Sequence, residues 1–270
     1  MPTLTLSEGN SISYDHVLPS DGGHTFCCFN ALSGDKGMWD AAIGERVRAA
    51  GHGLLTWNFR GQAGSDFTID SFSADQIVDD AVAVFEAVQP AKPAHVGLSI
   101  GGLYAMRAHL RGGAGKAHGI VLINTLRKEG PRLDWVNNAV VRCAETGGLD
   151  LMRDLYSPLL MNADWQAANR ENFLGDGGYR GLAADDGTLM LLKSGVPTKW
   201  DVPYEQIDVP VLSLTGEQDR VFRDPAHIDE LSARIANLTR EDLPDAGHMI
   251  PVERPEKLAA AIVDWMAKAG

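Results

Sequence analysis

The chain has 270 residues, of which 44% are hydrophobic and 22% are charged. This size and balance fit one folded α/β domain, or a domain with a modest insertion, and exclude a disordered chain. A formal net charge of −12 would repel a phosphate backbone on average, and no apolar run is long enough to span a membrane. We therefore expect neither a nucleic-acid partner nor a membrane.

The N-terminus and the cysteines indicate the compartment. The first four residues, Met-Pro-Thr-Leu, lack the basic region and apolar stretch of an export signal. The number of cysteines is odd, and Cys27 and Cys28 are adjacent in a predicted strand, where their side chains point to opposite faces. We expect a reduced, cytoplasmic protein, a monomer or homodimer. The histidines are scattered and no Cys-x-x-Cys spacing occurs, so no metal or other cofactor is expected.

In the first half of the chain, short β-rich apolar runs alternate with helical patterns, which predicts a mostly parallel sheet with helices on its faces. A helix over 73–88 places its apolar residues on one face, and Ser73 and Gln76 have the spacing of a capping box. A second helix is predicted directly after Ser99. The predicted strands of this half are 25–29, 53–57, 94–98 and 119–123.

The alternation stops between residues 125 and 206, where the pattern predicts several short helices separated by Gly, Asn and Asp loops. We interpret this segment as an insertion over the sheet, so that 1–124 and 207–270 form the core domain. The alternation then resumes, and the predicted elements are a strand over 209–214, a helix over 225–235, a strand over 237–243 and a helix over 255–267.

A candidate nucleophile lies at the end of the predicted strand 94–98. The sequence Gly97-Leu98-Ser99-Ile100-Gly101 matches Gly-x-Ser-x-Gly, a strained turn from strand to helix that exposes the serine hydroxyl. The helix N-terminus at this point also favours developing negative charge. The position of the match predicts Ser99 as the nucleophile rather than an ordinary serine in a glycine-rich turn.

A serine needs a base that titrates near neutral pH, and the base needs a carboxylate that fixes its tautomer. His248 follows the last predicted strand, at the carboxyl edge of the sheet where Ser99 also lies. Asp219 follows the preceding strand at the same edge. Glu217 and Asp224 are the nearest substitutes for Asp219, while His95 and His118 flank strands and are expected to be structural or solvated.

The order Ser99, Asp219, His248 is the one expected of an α/β-hydrolase. At this point the chain resembles the small members of that superfamily, which include carboxylesterases, enol-lactone hydrolases and meta-cleavage product hydrolases. The segment 58–65, Asn-Phe-Arg-Gly-Gln-Ala-Gly-Ser, resembles the family turn Asp-x-Arg-Gly-x-Gly-x-Ser. The resemblance implies a mostly parallel eight-stranded sheet flanked by helices, with 125–206 as a helical cap.

The chain departs from the family after the strand 25–29, where Asn30-Ala31 replaces the usual His-Gly. Ala31 can support the same turn only at allowed backbone angles. By position in the family, the backbone N–H groups of Leu32 and Ile100 are the expected oxyanion donors. Candidate substrate contacts are Asn30, Trp135, Trp165 and Trp200, although packing is the commoner role of such aromatics. The cations Arg127, Lys128, Arg180, Lys193 and Lys199 are expected to be solvated.

These residues predict hydrolysis of a small carboxylic ester or lactone through an acyl-enzyme on Ser99, without a cofactor. The same triad also fits a carbon-carbon bond hydrolase, a thioesterase or an acyltransferase. A cofactor-free oxygenase or lyase and a ligand-binding protein that keeps the fold are further alternatives. The altered Asn30-Ala31 turn is the feature that favours the binding protein, and the complete triad argues against it.

Overall fold

The computed structural model describes residues 2–7, 9–68, 72–175 and 177–269. Its strands form one eight-stranded sheet in the order β1-β2-β4-β3-β5-β6-β7-β8. β1 pairs with β2 and β2 with β4 in antiparallel fashion, and the remaining pairs are parallel. The strands are β1 (Thr3–Ser7), β2 (Asn10–Val17), β3 (Thr25–Phe29), β4 (Gly53–Trp57), β5 (Pro93–Leu98), β6 (Gly119–Ile123), β7 (Val211–Gly216) and β8 (Leu238–Leu243).

Helices cover both faces of this sheet. They are α1 (Gly37–Trp39), α2 (Glu45–Ala49), α3 (Ala74–Val88), α4 (Ile100–Arg111), α5 (Pro131–Leu160), α6 (Ala163–Ala168), α7 (Gly187–Gly195), α8 (Pro225–Ser232), α9 (Ile250–Glu253) and α10 (Pro255–Ala269). A turn of π-helix, Asp40–Gly44, joins α1 to α2. None of the described helices is long and apolar enough to cross a lipid bilayer.

The alternation of side chains along β3 shows how the core is divided between the two faces. Cys27 and Phe29 point into a cluster formed with α3, α4 and α8, whereas Phe26 and Cys28 point into a second cluster with α2 and α10. All five residues of β3 are buried. A strand buried on both faces reads as a continuous apolar run, which is why β3 to β6 are recognisable from the sequence.

The mostly parallel eight-stranded sheet confirms the predicted fold class. Boundaries differ by up to three residues: β7 begins at Val211, directly after Pro210, rather than at 209, and α8 ends at Ser232 rather than at 235. Half of the predicted capping box is present, since Ser73 Oγ accepts a hydrogen bond from the Gln76 N–H. The Gln76 side chain instead donates to Asp80 on the next turn of α3.

The described residues between β6 and β7 form helices and loops, with no strand. One helix of this segment is longer than expected, since α5 runs from Pro131 to Leu160 with a kink at Gly148 (φ 68°), whereas α6 and α7 are short. A β-carbon on Gly148 would lie 2.3 Å from the Arg180 carbonyl oxygen, so the close approach of the following loop requires glycine there. The boundaries 125–206 for a separate cap stay a prediction.

Burial of His95 in β5 makes the free energy of unfolding depend on pH in the acidic range. Its ring stacks on Phe85 and is fully buried, and burial lowers its pKa to about 3, against about 6.5 in the unfolded chain. Between pH 6.5 and 3 the unfolded state binds a proton that the folded state does not. We therefore expect this residue to lower the free energy of unfolding by about 1.4 kcal/mol per pH unit in that range as the pH falls.

Urea unfolding at a series of pH values measures this slope. His95→Leu should show a shallower fall in stability toward acid than the wild type, whereas His118→Gln, on an exposed residue, should keep the wild-type slope. Parallel curves for the wild type and His95→Leu would contradict this account.

Candidate active site

Ser99 lies between the end of β5 and the start of α4, in the strand-to-helix turn that the motif predicts. Its backbone has φ 57° and ψ −122°, a conformation that side-chain-bearing residues rarely adopt. The Ser99 N–H donates to the Ile123 carbonyl of β6, and the Ser99 carbonyl accepts from Thr125 Oγ1. These bonds hold the strained turn against the neighbouring strand.

The glycines of the motif are required by close backbone contacts on both sides of the serine. A β-carbon on Gly97 would lie 2.3 Å from the Gly102 nitrogen, and one on Gly101 would lie 2.4 Å from the Phe29 carbonyl oxygen. Both distances are far inside van der Waals contact. The Gly101 contact also packs the start of α4 against the end of β3, which brings the turn at residues 30–32 beside Ser99.

His248 and Asp219 form a buried pair at the same edge of the sheet. His248 Nδ1 lies 2.7 Å from Asp219 Oδ2, and each residue is 4% exposed. Asp219 Oδ1 accepts the backbone N–H groups of Val221 and Phe222. Burial acts to raise the pKa of Asp219, but the charge and hydrogen bond of His248, the Phe222 N–H and the charge of Arg127 outweigh it and lower that pKa. Asp219 is therefore a carboxylate that orients the imidazole.

Two residues that the sequence analysis did not single out fasten the loop that carries His248. The Asn124 amide donates to the His248 and Gly247 carbonyls and accepts the Gly216 N–H, so it joins the ends of β6 and β7 to this loop. Glu253 is 6% exposed, and its carboxylate accepts the N–H groups of Gly247 and Met249. Asn124 directly follows a predicted strand at the carboxyl edge, a signal that would have identified it.

In the described part of the chain, Ser99 Oγ is hydrogen-bonded to Arg127 rather than to His248. Arg127 Nη2 donates to Ser99 Oγ at 2.9 Å and to the Asn124 carbonyl at 2.6 Å. His248 lines the same cavity as Ser99, with Nδ1 occupied by Asp219. Hydrogen bonds between nucleophile and base often tighten only when substrate is bound.

The burial of Arg127 corrects the expectation that it is solvated. It is 4% exposed, and its guanidinium lies 4.5 Å from the ring centroids of both Trp200 and Phe222. Burial lowers the pKa of Arg127 to about 10, against the opposing effect of the Asp219 charge, so the group keeps its charge at neutral pH. Arg127 follows β6 at the carboxyl edge of the sheet. This position is the signal in the sequence that could have placed Arg127 in the site.

Ser99 opens into a cavity of about 380 Å³ between the sheet edge and the helices that follow β6. Of the four candidate substrate contacts, Trp200 lines this cavity. Asn30, Trp135 and Trp165 do not. Trp135 is 80% exposed on α5, and Trp165 packs against Phe173. The other lining residues include Leu149, Met152, Tyr156, Leu160, Leu192 and Met249.

Asn30 is fully buried behind the cavity. Its amide donates to the Trp57 carbonyl and to the Gln62 side chain, and its carbonyl oxygen accepts from Trp39 Nε1. All of these partners belong to the core side of the turn. The structure thus gives Asn30 a supporting position under the turn and no contact with the cavity.

The two predicted oxyanion donors lie beside the nucleophile. Leu32 and Ile100 both line the cavity, and neither N–H donates to a backbone carbonyl among the described residues. Ala31 is not among the residues with positive φ, so alanine supports this turn without strain. For metal binding, the described residues include no group of three or more His, Cys, Asp or Glu side chains suited to hold an ion.

Comparison with known proteins identifies the family that most of this chain matches. A model described as the alpha/beta hydrolase family matches residues 22–261. The chain is 25% identical over 237 residues to 3-oxoadipate enol-lactonase 1 of Acinetobacter baylyi, covering 84% of this chain and 83% of that protein. It is 40% identical to a monoacylglycerol lipase of Homo sapiens over 63 residues, which are 23% of this chain and only 18% of that protein.

A solved structure shows the same fold over the full length. The enol-lactonase from Burkholderia xenovorans LB400 superposes with a TM-score of 0.78, covering 98% of this chain and all of that chain at 22% sequence identity. At this identity the match establishes the architecture, and the chemistry has to be argued from the residues of this chain.

Proposed function

Because the chain belongs to the alpha/beta hydrolase family, we propose that it hydrolyses a small carboxylic ester or lactone through an acyl-enzyme on Ser99. The observation that carries this proposal is the placement of Ser99 on a strained turn, in one cavity with an imidazole whose Nδ1 is bonded to a buried carboxylate. That arrangement fits nucleophilic catalysis with a general base.

In the proposed first step, Ser99 Oγ attacks the carbonyl carbon while His248 Nε2 takes the hydroxyl proton. The carbonyl oxygen becomes an oxyanion, and the N–H groups of Leu32 and Ile100 donate to it. Collapse of this intermediate breaks the bond to the leaving oxygen, which receives the proton from His248. The products of the step are the alcohol and the acylated Ser99.

In the second step, water attacks the acyl carbon and gives a proton to His248. The bond to Ser99 Oγ breaks, the proton returns to Oγ, and the carboxylic acid leaves. In a lactone both products remain one molecule, because the alcohol is tethered to the acid. Asp219 keeps its charge throughout and stabilises the imidazolium that forms in each step.

Ester and lactone substrates are supported by the relatives as well as by the site. One relative is named as an enol-lactonase and another as a monoacylglycerol lipase, and both names describe cleavage of an ester bond. The cavity of about 380 Å³ is apolar along most of its wall, which suits a small molecule rather than a polymer.

Turnover of a panel of short-chain esters, lactones, thioesters and a vinylogous diketone tests this proposal. We expect ester or lactone hydrolysis to be fastest. The proposal fails if the folded protein turns over none of the panel, which would favour a ligand-binding role. It fails equally if the thioester or the diketone is preferred.

A further inference from the structure

On the basis of the proposed ester chemistry, we infer that Arg127 binds a carboxylate of the substrate, so that the preferred substrates are esters with an acid group a few bonds from the scissile carbonyl. Arg127 is in the cavity wall and touches the nucleophile itself. Three features of the site support the assignment: the free donors of the guanidinium, its buried charge and its distance from Ser99.

The guanidinium has donors to spare among the described residues. In the described part of the chain, its Nε donates to the Thr125 carbonyl at 3.4 Å, and its Nη2 donates to the Asn124 carbonyl and to Ser99 Oγ. Nη1 has no hydrogen-bond partner among these residues. The Nη1–Nη2 edge is the fork that binds a carboxylate with two parallel hydrogen bonds.

Within the described ranges of the chain, no carboxylate is hydrogen-bonded to the guanidinium of Arg127. The hydrogen bonds of Arg127 go to two carbonyls and a hydroxyl. The negative charge of Asp219 attracts the guanidinium, but the Asp219 carboxylate is hydrogen-bonded to His248. A buried cation is costly unless it is paired. The faces of the Trp200 and Phe222 rings offset part of the free-energy cost of burying this cation. A substrate carboxylate would offset the rest.

The second arginine of the cavity differs in this respect and serves as an internal control. Arg153 also lines the cavity, but its guanidinium already forms ion pairs with Asp150 and Asp154 and is 43% exposed. Its charge is therefore neutralised within the chain and screened by solvent. A substrate anion has less to gain from Arg153 than from Arg127.

The distance between Arg127 and the nucleophile limits the length of the substrate. Nη2 lies 2.9 Å from Ser99 Oγ, and a carboxylate oxygen would lie about 2.8 Å beyond Nη2. The acid group is then at most about 6 Å from Oγ, which fits two or three methylene groups between it and the scissile carbonyl. Such a carboxylate takes the place of Ser99 Oγ on Nη2, and this leaves the hydroxyl free to bond with His248.

The test compares monomethyl succinate with its neutral isostere methyl succinamate, with hydrolysis followed by acid release at constant pH. We expect the wild type to favour the acid by about 10- to 100-fold in kcat/KM, the range of a charge-assisted hydrogen-bonded pair. Arg127→Met should bring this ratio close to one. Arg127→Lys, which keeps the charge but loses the fork, should give an intermediate ratio, and Arg153→Gln should retain the wild-type ratio.

A binding measurement separates this inference from the proposed hydrolysis. Calorimetry with succinate on Ser99→Ala should show binding that is lost in Ser99→Ala/Arg127→Met, whether or not any ester is hydrolysed. Equal acid-to-amide ratios in the wild type and Arg127→Met would overturn the inference and leave ester hydrolysis intact. Absence of succinate binding to Ser99→Ala would also overturn it. If neither ester were hydrolysed, the result would count against the proposed function. The succinate-binding measurement would then show on its own whether Arg127 binds a carboxylate.

Discussion

Ser99→Ala is expected to lower kcat for the best ester or lactone by about 10⁴- to 10⁶-fold, because the covalent route is lost and only the oxyanion donors and substrate binding remain. The variant should fold normally. Alanine takes the same backbone angles as serine at this position, and the buried hydroxyl gives up only its bond from Arg127. Steady-state kinetics together with thermal unfolding separate the loss of chemistry from a loss of folding.

Ser157 provides a matched control for this variant. It lies on α5 and lines the same cavity, but it is not at the strained turn. Ser157→Ala should retain kcat within a few-fold. If both serine variants kept most of the activity, or if Ser157→Ala were the damaging one, Ser99 would not be the nucleophile.

Asp219→Asn is expected to lower kcat by about 10⁴-fold while preserving the fold, since asparagine has the same shape but does not hold His248 in the required tautomer or stabilise its charged form. The effect should be on kcat rather than on KM, because Asp219 lies behind His248 and outside the lining of the cavity. Kinetics on one ester at saturating and subsaturating concentrations measure the two constants.

The two carboxylates nearest in sequence test the assignment. Glu217 pairs with Arg223 at the surface, and Asp224 caps α8 by accepting the Ala226 and His227 N–H groups. Glu217→Gln should be close to wild type. Asp224→Asn should also be, since asparagine caps helices about as well as aspartate. Comparable losses of kcat in all three variants would show that the acid of the triad is misassigned.

The sequence predicted the strands of the parallel part of the sheet, β3 to β8, and the turn at Ser99. β3 to β6 are mostly apolar and almost fully buried, and the turn at Ser99 is fixed by glycines whose absent side chains allow close backbone contacts. The antiparallel strands β1 and β2, the outermost two on one side of the sheet, were not predicted. β1 is half exposed and alternates along its length, and its pairing depends on β2, which in turn pairs with β4.

Some residues of the candidate site could likewise be predicted from the sequence, and others could not. Ser99, Asp219 and His248 could be predicted because each follows a strand at one edge of a parallel sheet, and the topology brings that edge together. Arg127 was misread as solvated, because burial of a cation depends on residues far away in sequence. Trp200 and Phe222 enclose it from positions 73 and 95 residues further along the chain.

The turn near residue 60, which resembles the family turn, is held by hydrogen bonds of Asn58. Asn58 replaces the usual aspartate, and its amide bonds Asp35 and the Ala63 carbonyl. Its Oδ1 accepts the Lys36 N–H, so an amide satisfies both donors and acceptors here. The neighbouring Arg60 forms a bidentate ion pair with Asp80 of α3, both residues being buried. This pair fastens the turn to the core.

Covalent labelling tests the central claim, that Ser99 is an activated nucleophile, most directly. A serine-directed fluorophosphonate should react with the folded protein, and tandem mass spectrometry should locate the adduct on Ser99 alone. Ser99→Ala should remain unlabelled, and Asp219→Asn should be labelled far more slowly than the wild type. A folded wild-type protein that stays unlabelled, or that carries the adduct on another residue, would contradict the account.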